Sequence, residues 1–201
     1  MFSKDSWKYI VWVPMLIPHF IGAYIIYSFW AQPGLISSLA YELDFIDSMQ
    51  EFPVLTSNEY YSGVILSYIW KETPFVVLML LPVYQEIDKR RNDVVRTLGG
   101  GTWSVFKTVE WPWVLPVLAE TGIILISFIM FAFEIPALLG VTYPKMLAIL
   151  AYQWFYEGDW SMRPHAQAIM IFMTFFLLLF TYAIFHFIRK QQRYLKRSNT
   201  S

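Results

Sequence analysis

The chain has 201 residues, of which 57% are hydrophobic and 19% aromatic, whereas only 15% are charged. That charged fraction is well below the roughly 25% of a soluble domain and indicates a membrane protein. The formal net charge is zero, there is no cysteine, and the three histidines stand far apart, so binding to nucleic acid, a disulfide framework and a metal site are not expected.

Four apolar segments predict an all-α membrane protein, a single domain built as a polytopic bundle of about four transmembrane helices. The first, residues 9–30, would be about 33 Å long as a helix, enough for a bilayer core of about 30 Å. Pro14 and Pro18 predict a kink within it. The remaining predicted spans are residues 61–84, 114–133 and 166–188.

The segments that connect these spans differ in the sign of their charge. Residues 31–59 hold acidic residues and no lysine or arginine; the acidic residues are Glu42, Asp44, Asp47, Glu51 and Glu59. The loop 85–112 and the C-terminal tail hold basic residues, which are Lys89, Arg90, Arg91, Arg96, Lys107, Arg189, Lys190, Arg193, Lys196 and Arg197. Because cytoplasmic loops are rich in lysine and arginine, we expect the loop 85–112 and both termini, with Lys4 and Lys8, in the cytoplasm. Residues 31–59 and 135–163 would then lie outside.

The cytoplasmic loop contains a predicted amphipathic helix over residues 88–98. This stretch has neither glycine nor proline, and Val94, Val95 and Leu98 fall on one side at helical spacing. Gly99 and the two glycines after it would end the helix, since glycine suits the left-handed position at a helix C-terminus. The residues alone leave two roles open for this helix, which are resting on lipid headgroups and binding a partner.

This loop resembles the cytoplasmic loop of permease subunits of binding-protein-dependent ABC importers. The family pattern is Glu-Ala-Ala, three residues, Gly, nine residues, then Ile-x-Leu-Pro. The chain has Asp93-Val94-Val95, Gly99 and Val109-Glu110-Trp111-Pro112 at the same spacing. The resemblance implies a cytoplasmic coupling helix whose contact residues are Asp93, Val94, Val95, Leu98, Gly99 and Pro112.

Two further segments add to this resemblance. Trp70 shortly before Pro74-Phe75 resembles a feature of such permeases in general, and Phe133-Glu134-Ile135-Pro136 with the four residues that follow resembles the polyamine, ferric-iron and thiamine branch of that family. Members of this branch usually have six spans, so the resemblance implies that two N-terminal helices are missing from this chain. A transport-deficient assembly or scaffold subunit is therefore the alternative interpretation.

The resemblance also implies the partners. They are a dimer of ABC ATPase subunits, a second permease subunit that is identical or different, an external solute-binding protein and the lipid of an inner or plasma membrane. The chain has no Gly-x-x-x-x-Gly-Lys-Ser/Thr sequence, so we expect a non-enzymatic subunit that binds no cofactor and relies on ATP hydrolysis by the partner.

Four residues are candidates for the path of a small polar solute, and these are Trp70, Lys71, Glu72 and Glu134. A charge in the membrane interior costs at least about 2.5–3.5 kcal/mol, so Lys71 and Glu72 require a role. They either line the path or take part in an ion pair or hydrogen bonds to carbonyls freed at the Pro74 kink. The acidic outer segment favours a cation, and polyamine transport is the corresponding prediction.

Overall fold

The computed structural model describes the backbone of residues 6–198 and the side chains of residues 11–188 apart from Lys89. Every regular element in this part of the chain is helical, which confirms the predicted all-α class. The α-helices are α1 (Ser6–Leu16), α2 (His19–Trp30), α3 (Leu35–Glu42), α4 (Ser62–Glu86), α5 (Lys89–Thr97), α6 (Thr102–Val105), α7 (Trp111–Phe131), α8 (Glu134–Leu139), α9 (Leu147–Tyr156) and α10 (Arg163–Ser198). A cytoplasmic position of the two termini was predicted from basic residues near each end. The side chains of these residues lie outside the described part of the chain.

Three helical stretches in the described part of the chain are long and apolar enough to cross a membrane. They are Ser62–Glu86, Thr102–Phe131 and Trp160–Ile188. The second of these begins twelve residues before the predicted start at 114, so this helix includes part of the segment predicted as the loop 85–112. The reason is a π turn, Phe106–Glu110, in which the Trp111 N–H donates to the Phe106 carbonyl and the helix continues past Pro112.

The predicted first span is broken rather than kinked. α1 ends at Leu16 and α2 begins at His19, and Pro18 between them is extended (φ −54°, ψ 145°). Pro18 has no N–H to donate to the carbonyl of Pro14, and a proline also disfavours helical geometry at the residue before it. With 11 and 12 residues, each half is about 17–18 Å long and neither crosses a bilayer core alone.

The described residues form two compact units. The first comprises the residues up to 75 together with 130–170, and the second comprises 76–129 together with the residues from 171 on. In the first unit α2 packs against α3 and α8, and the Ser57 N–H donates to the Leu139 carbonyl at 3.1 Å. In the second unit α5 packs against α6. Helix α4 contributes residues to both units.

Candidate functional site

The predicted cytoplasmic helix is present as α5, with a clear start and a clear end. The Asp88 carboxylate accepts a hydrogen bond from the Arg90 N–H at 2.9 Å, a cap worth about 1 kcal/mol. At the other end Gly99 is left-handed, with φ 82°. The Gly99 N–H donates to the Arg96 carbonyl at 3.0 Å, and the Gly100 N–H donates to the Val95 carbonyl at 2.9 Å. These are the two bonds of a Schellman cap, which confirms the predicted glycine stop.

The apolar surface of this region differs from the predicted one by one residue. Val94 is 58% exposed and Leu98 is 83% exposed. Val95 is half-buried, because it packs against Gly100, where an added Cβ would lie 2.6 Å from the Val95 Cγ1. Trp103 at the start of α6 is 73% exposed. We call Val94, Leu98 and Trp103 the coupling surface, after the role that the sequence predicts for this helix.

Aromatic contacts tie α5 and α6 to the first turn of α7. The Arg91 guanidinium lies 5.6 Å from the centroid of the Trp113 ring, a cation–π contact worth about 0.5–1 kcal/mol at an exposed site. The Phe106 ring lies 5.4 Å from Trp103 and 5.7 Å from Trp111, centroid to centroid. The start of α7 is thus joined to α5 directly through Arg91 and Trp113, and to α6 through Phe106.

Two other coupling residues named by the sequence pattern also lie in this segment. Asp93 is exposed on α5, and Pro112 is half-buried in the first turn of α7. The structure thus brings the pattern residues together on α5, its glycine stop and the start of α7. The sequence did not single out Trp103, although a tryptophan directly after a helix-ending glycine run is a usable signal.

Lys71 fills a gap in the hydrogen bonding of the broken first span. Its side chain is 3% exposed, and its ammonium group donates to the carbonyls of Pro14, at 2.6 Å, and Ile17. The Pro14 carbonyl is the one that Pro18 deprives of a helical donor, because proline has no N–H. Lys71 therefore has the hydrogen-bonding role left open from the sequence, with carbonyls at the Pro18 break instead of the Pro74 kink.

Glu72 contacts the other side of the same break. Its carboxylate lies 3.2 Å from Nε2 of His19, the first residue of α2, and both side chains are partly buried. A carboxylate is stabilised near a helix N-terminus and an ammonium group near a helix C-terminus. Adjacent residues of α4, about 100° apart, thus place a cation at the end of α1 and an anion at the start of α2. We call Lys71 and Glu72 the break clamp.

The clamp depends on a close approach of α2 and α4 at Gly22. A Cβ at this position would lie 3.0 Å from the Lys71 Cδ and 3.4 Å from the Trp70 ring. Trp70, a predicted path residue, therefore packs against α2. The structure brings Trp70, Lys71 and Glu72 together at α2, while Glu134 is exposed as the first residue of α8. A role for these four residues on a solute path stays a prediction.

Two residues at the break clamp were not predicted from the sequence, and these are His19 and Tyr68. The sequence did not single out His19, although its position directly after Pro18 marks the start of a new helix and hence a place for an anion. Tyr68, one turn before Glu72, is buried, and its hydroxyl has no hydrogen-bond partner among the described residues.

An open cleft of about 650 Å³ lies between residues 54–60 and 141–143 of the first unit. The Asn58 side-chain amide donates to the Val54 carbonyl at 2.7 Å, and the Asn58 side-chain oxygen accepts from the Ser62 N–H at 3.0 Å. These bonds fix one wall. Tyr60 and Tyr143 line the cleft and are highly exposed. By the charge rule used for the sequence, this cleft belongs to the predicted external face.

A family model described as "Binding-protein-dependent transport system inner membrane component" matches residues 2–197. The chain belongs to this family. Membership agrees with the resemblance found in the cytoplasmic loop and with the three apolar helices, and it identifies the chain as a multi-pass membrane protein.

Curated relatives of this transport family are similar over most of the chain. The molybdate/tungstate transport system permease protein of Thermococcus kodakarensis is 22% identical over 179 residues, which cover 89% of this chain and 62% of that protein. The trehalose/maltose transport system permease protein of Thermococcus litoralis is 27% identical, covering 75% and 55%. A probable sulfate transport system permease protein of Chlorella vulgaris is 27% identical, covering 58% and 45%. The chain thus spans between 45% and 62% of the length of these three relatives.

A solved structure shows the same fold. The crystal structure of a bacterial ABC transporter involved in the import of the acidic polysaccharide alginate matches with a TM-score of 0.76 at 21% identity, covering 94% of this chain and 68% of that one. The names of these similar proteins refer to oxyanions and sugars. They do not single out the polyamine, ferric-iron and thiamine branch predicted from the sequence.

Proposed function

We propose that this chain is a permease subunit of an ABC importer, which forms part of the path for a small polar solute and is driven by a separate ATPase dimer. The observation that carries the proposal is α5, a capped and glycine-stopped helix with an exposed apolar surface. It lies at the position where permeases of this kind carry their coupling helix. Family membership supports the same function.

The coupling surface has the chemistry of a helix that binds in a groove of a partner. Val94 and Leu98 are four residues apart and therefore lie on one side of α5. Full burial of such side chains contributes about 1.5–3 kcal/mol each, and apolar anchors at this spacing are typical of a helix in a groove. The exposed Asp93 and Arg96 flank the anchors and fix their register by charge.

The orientation and the external partner follow from the charges. The basic loop with α5 faces the cytoplasm and the ATPase, whereas the acidic segment and the cleft face outward, toward a solute-binding protein. Tyr60 and Tyr143 suit such a contact because tyrosine is enriched among residues that carry binding energy. The second permease subunit, identical or different, and lipid would cover the apolar surface of α10, whose exposed residues include Ile171 and Phe172.

The solute class rests on weaker support. A polyamine-like cation is favoured by the five carboxylates of the outer segment, whereas the names of the relatives refer to oxyanions and sugars. A thermal-shift screen of the cognate binding protein against polyamines, sugars and oxyanions distinguishes these classes. Stabilisation by spermidine or putrescine alone would support the cation.

The test of the proposed function is capture of a candidate ATPase subunit from the same organism, together with uptake by the reconstituted complex. Changing both Val94 and Leu98 to Asp should abolish capture, because two charges enter an apolar contact. Val54→Asp, the same kind of change at an exposed valine of the outer segment, should leave capture intact. Capture that survives the double change would contradict the proposal. Capture by the unaltered chain without any uptake would favour the scaffold alternative.

A further inference from the structure

We propose that the carbonyls of Pro14 and Ile17 form a primary-ammonium site, that Lys71 occupies it, and that this occupied site with Glu72 positions the broken first span for transport. Only the positioning role in transport rests on the proposed function; the ammonium site does not. Lys71 and Glu72 would act as positioning residues, since they set the angle between α1 and α2 rather than contacting the solute.

The carbonyls of Pro14 and Ile17 have the chemistry of a site for an ammonium group. A helix that ran through residue 18 would satisfy the Pro14 carbonyl with the amide of that residue, and proline removes this donor. The Ile17 carbonyl lies before α2, whose hydrogen bonding starts with the Gly22 N–H donating to Pro18 at 2.9 Å. Two carbonyls are thus left without backbone donors in a membrane, where each unsatisfied group is costly. An ammonium group has three donors and satisfies both.

The groups around Lys71 match both its aliphatic stem and its charge. The side chain is almost fully buried, and its aliphatic stem lies so close to α2 that a Cβ at residue 22 would be 3.0 Å from the Lys71 Cδ. The charge of Lys71 is balanced by the carboxylate of the next residue, which contacts His19. Each helix end created by the break therefore has a side chain of the sign that its dipole favours.

The break at Pro18 allows α1 and α2 to move relative to each other. No backbone hydrogen bond joins Pro14 to residue 18, so rotation about the dihedral angles at Ile17 changes the angle between α1 and α2 without breaking a helical bond. The clamp on α4 sets that angle instead, and α2 follows α4. Helix α2 packs against α8. Helix α4 runs without interruption to Glu86, two residues before Asp88, the cap of α5. Hinges of this kind commonly control conformational steps of a functional cycle.

The experiment uses the full chain reconstituted with the second permease subunit, the ATPase dimer and the solute-binding protein. Lys71→Met keeps most of the stem and removes the ammonium group, so uptake per ATP hydrolysed should fall on the order of tenfold, the effect of losing a charged hydrogen bond. Lys145→Met, the same change at a lysine bonded to Gln153 in the outer part of the chain, should leave this ratio within twofold. An unchanged ratio in Lys71→Met would overturn the positioning role.

Chemical rescue tests the ammonium site itself. Lys71→Ala removes a fragment equal in size to n-propylammonium, so this ion should raise the melting temperature of the purified variant and restore part of its uptake ratio. Tetramethylammonium carries the same charge without an N–H and should do neither. Equal effects of the two ions, or no effect of n-propylammonium, would contradict the site. The melting measurement does not depend on transport. It therefore tests the ammonium site independently of the proposed permease function.

A double substitution separates a positioning role from a purely structural one. Pro18→Ala returns an amide donor to residue 18, so Pro18→Ala with Lys71→Met should melt at a higher temperature than Lys71→Met alone. The same double variant should keep the low uptake ratio, because a continuous helix no longer bends at residue 17. If the double variant regains both stability and the uptake ratio, Lys71 serves only to fill a hydrogen bond and the positioning role is refuted.

Discussion

The left-handed glycine that ends α5 is the most direct point at which to perturb coupling. A Cβ added at Gly99 meets no atom within 4 Å, so a substitution there creates no clash. The whole cost is backbone strain at φ 82°, which is about 1–2 kcal/mol for a residue with a side chain. A loss of that size lowers the ratio of capped to uncapped helix by a factor of about 5–30. Gly99→Ala should therefore weaken ATPase binding by up to about that factor.

The chain offers a matched control two residues further on. Gly101 also has open space around an added Cβ, but its φ is −78°, a value that alanine adopts without strain. Titration of the ATPase subunit onto the permease in nanodiscs, followed by fluorescence anisotropy, would measure both variants. Gly101→Ala should bind within twofold of the unaltered chain, and Gly99→Asn should lie between the two because asparagine tolerates the left-handed region. Equal losses for Gly99→Ala and Gly101→Ala would refute the strain argument.

Three further outcomes are expected. Tyr68→Phe removes a buried hydroxyl without a described partner and should raise the free energy of unfolding by about 1 kcal/mol in a detergent melt; a lower melting temperature would mean that the hydroxyl is bonded in the folded protein. Gly22→Ala places a Cβ 3.0 Å from the Lys71 Cδ and should destabilise by about 1–3 kcal/mol, whereas Gly122→Ala, in open space within α7, should stabilise by about 0.5–1 kcal/mol; effects of the same sign would argue against the close approach. Replacing Tyr60 and Tyr143 with Ala should weaken binding of the solute-binding protein by about 2 kcal/mol or more, measured by calorimetry, and leave ATPase capture intact; unchanged affinity would exclude the cleft from that contact.

Local signals explain what the sequence predicted correctly. Helix α5 is delimited by an aspartate cap and a glycine stop, both of which act within three residues of the helix end. Helices α4 and α10 each contain a long, mainly apolar stretch, so hydropathy alone finds them. The positions of the pattern residues on α5 and at the start of α7 followed from their spacing, because this helix is formed locally. Their role in coupling stays a prediction.

The errors arise where contacts between distant segments decide the structure. Hydropathy is uninterrupted across Pro18, so it cannot distinguish a kink from a break. The partners of Lys71 lie 57 and 54 residues earlier in the chain, and the partner of Glu72 lies 53 residues earlier, so no local pattern reveals them. Val95 is half-buried because it packs against Gly100 after the helix ends, a contact that helical periodicity does not encode. The early start of the third span depends on a π turn, for which sequence gives no rule.

The break at Pro18 also affects how the protein enters the membrane. During synthesis the carbonyls of Pro14 and Ile17 leave the ribosome 57 and 54 residues ahead of the lysine that bonds them. At about 5–20 residues per second, this is an interval of roughly 3–11 s. Two half-helices with unbonded carbonyls are poorly stabilised in lipid throughout that time. The first span is therefore expected to become stable in the bilayer only when α4 arrives, so that the two enter as a pair.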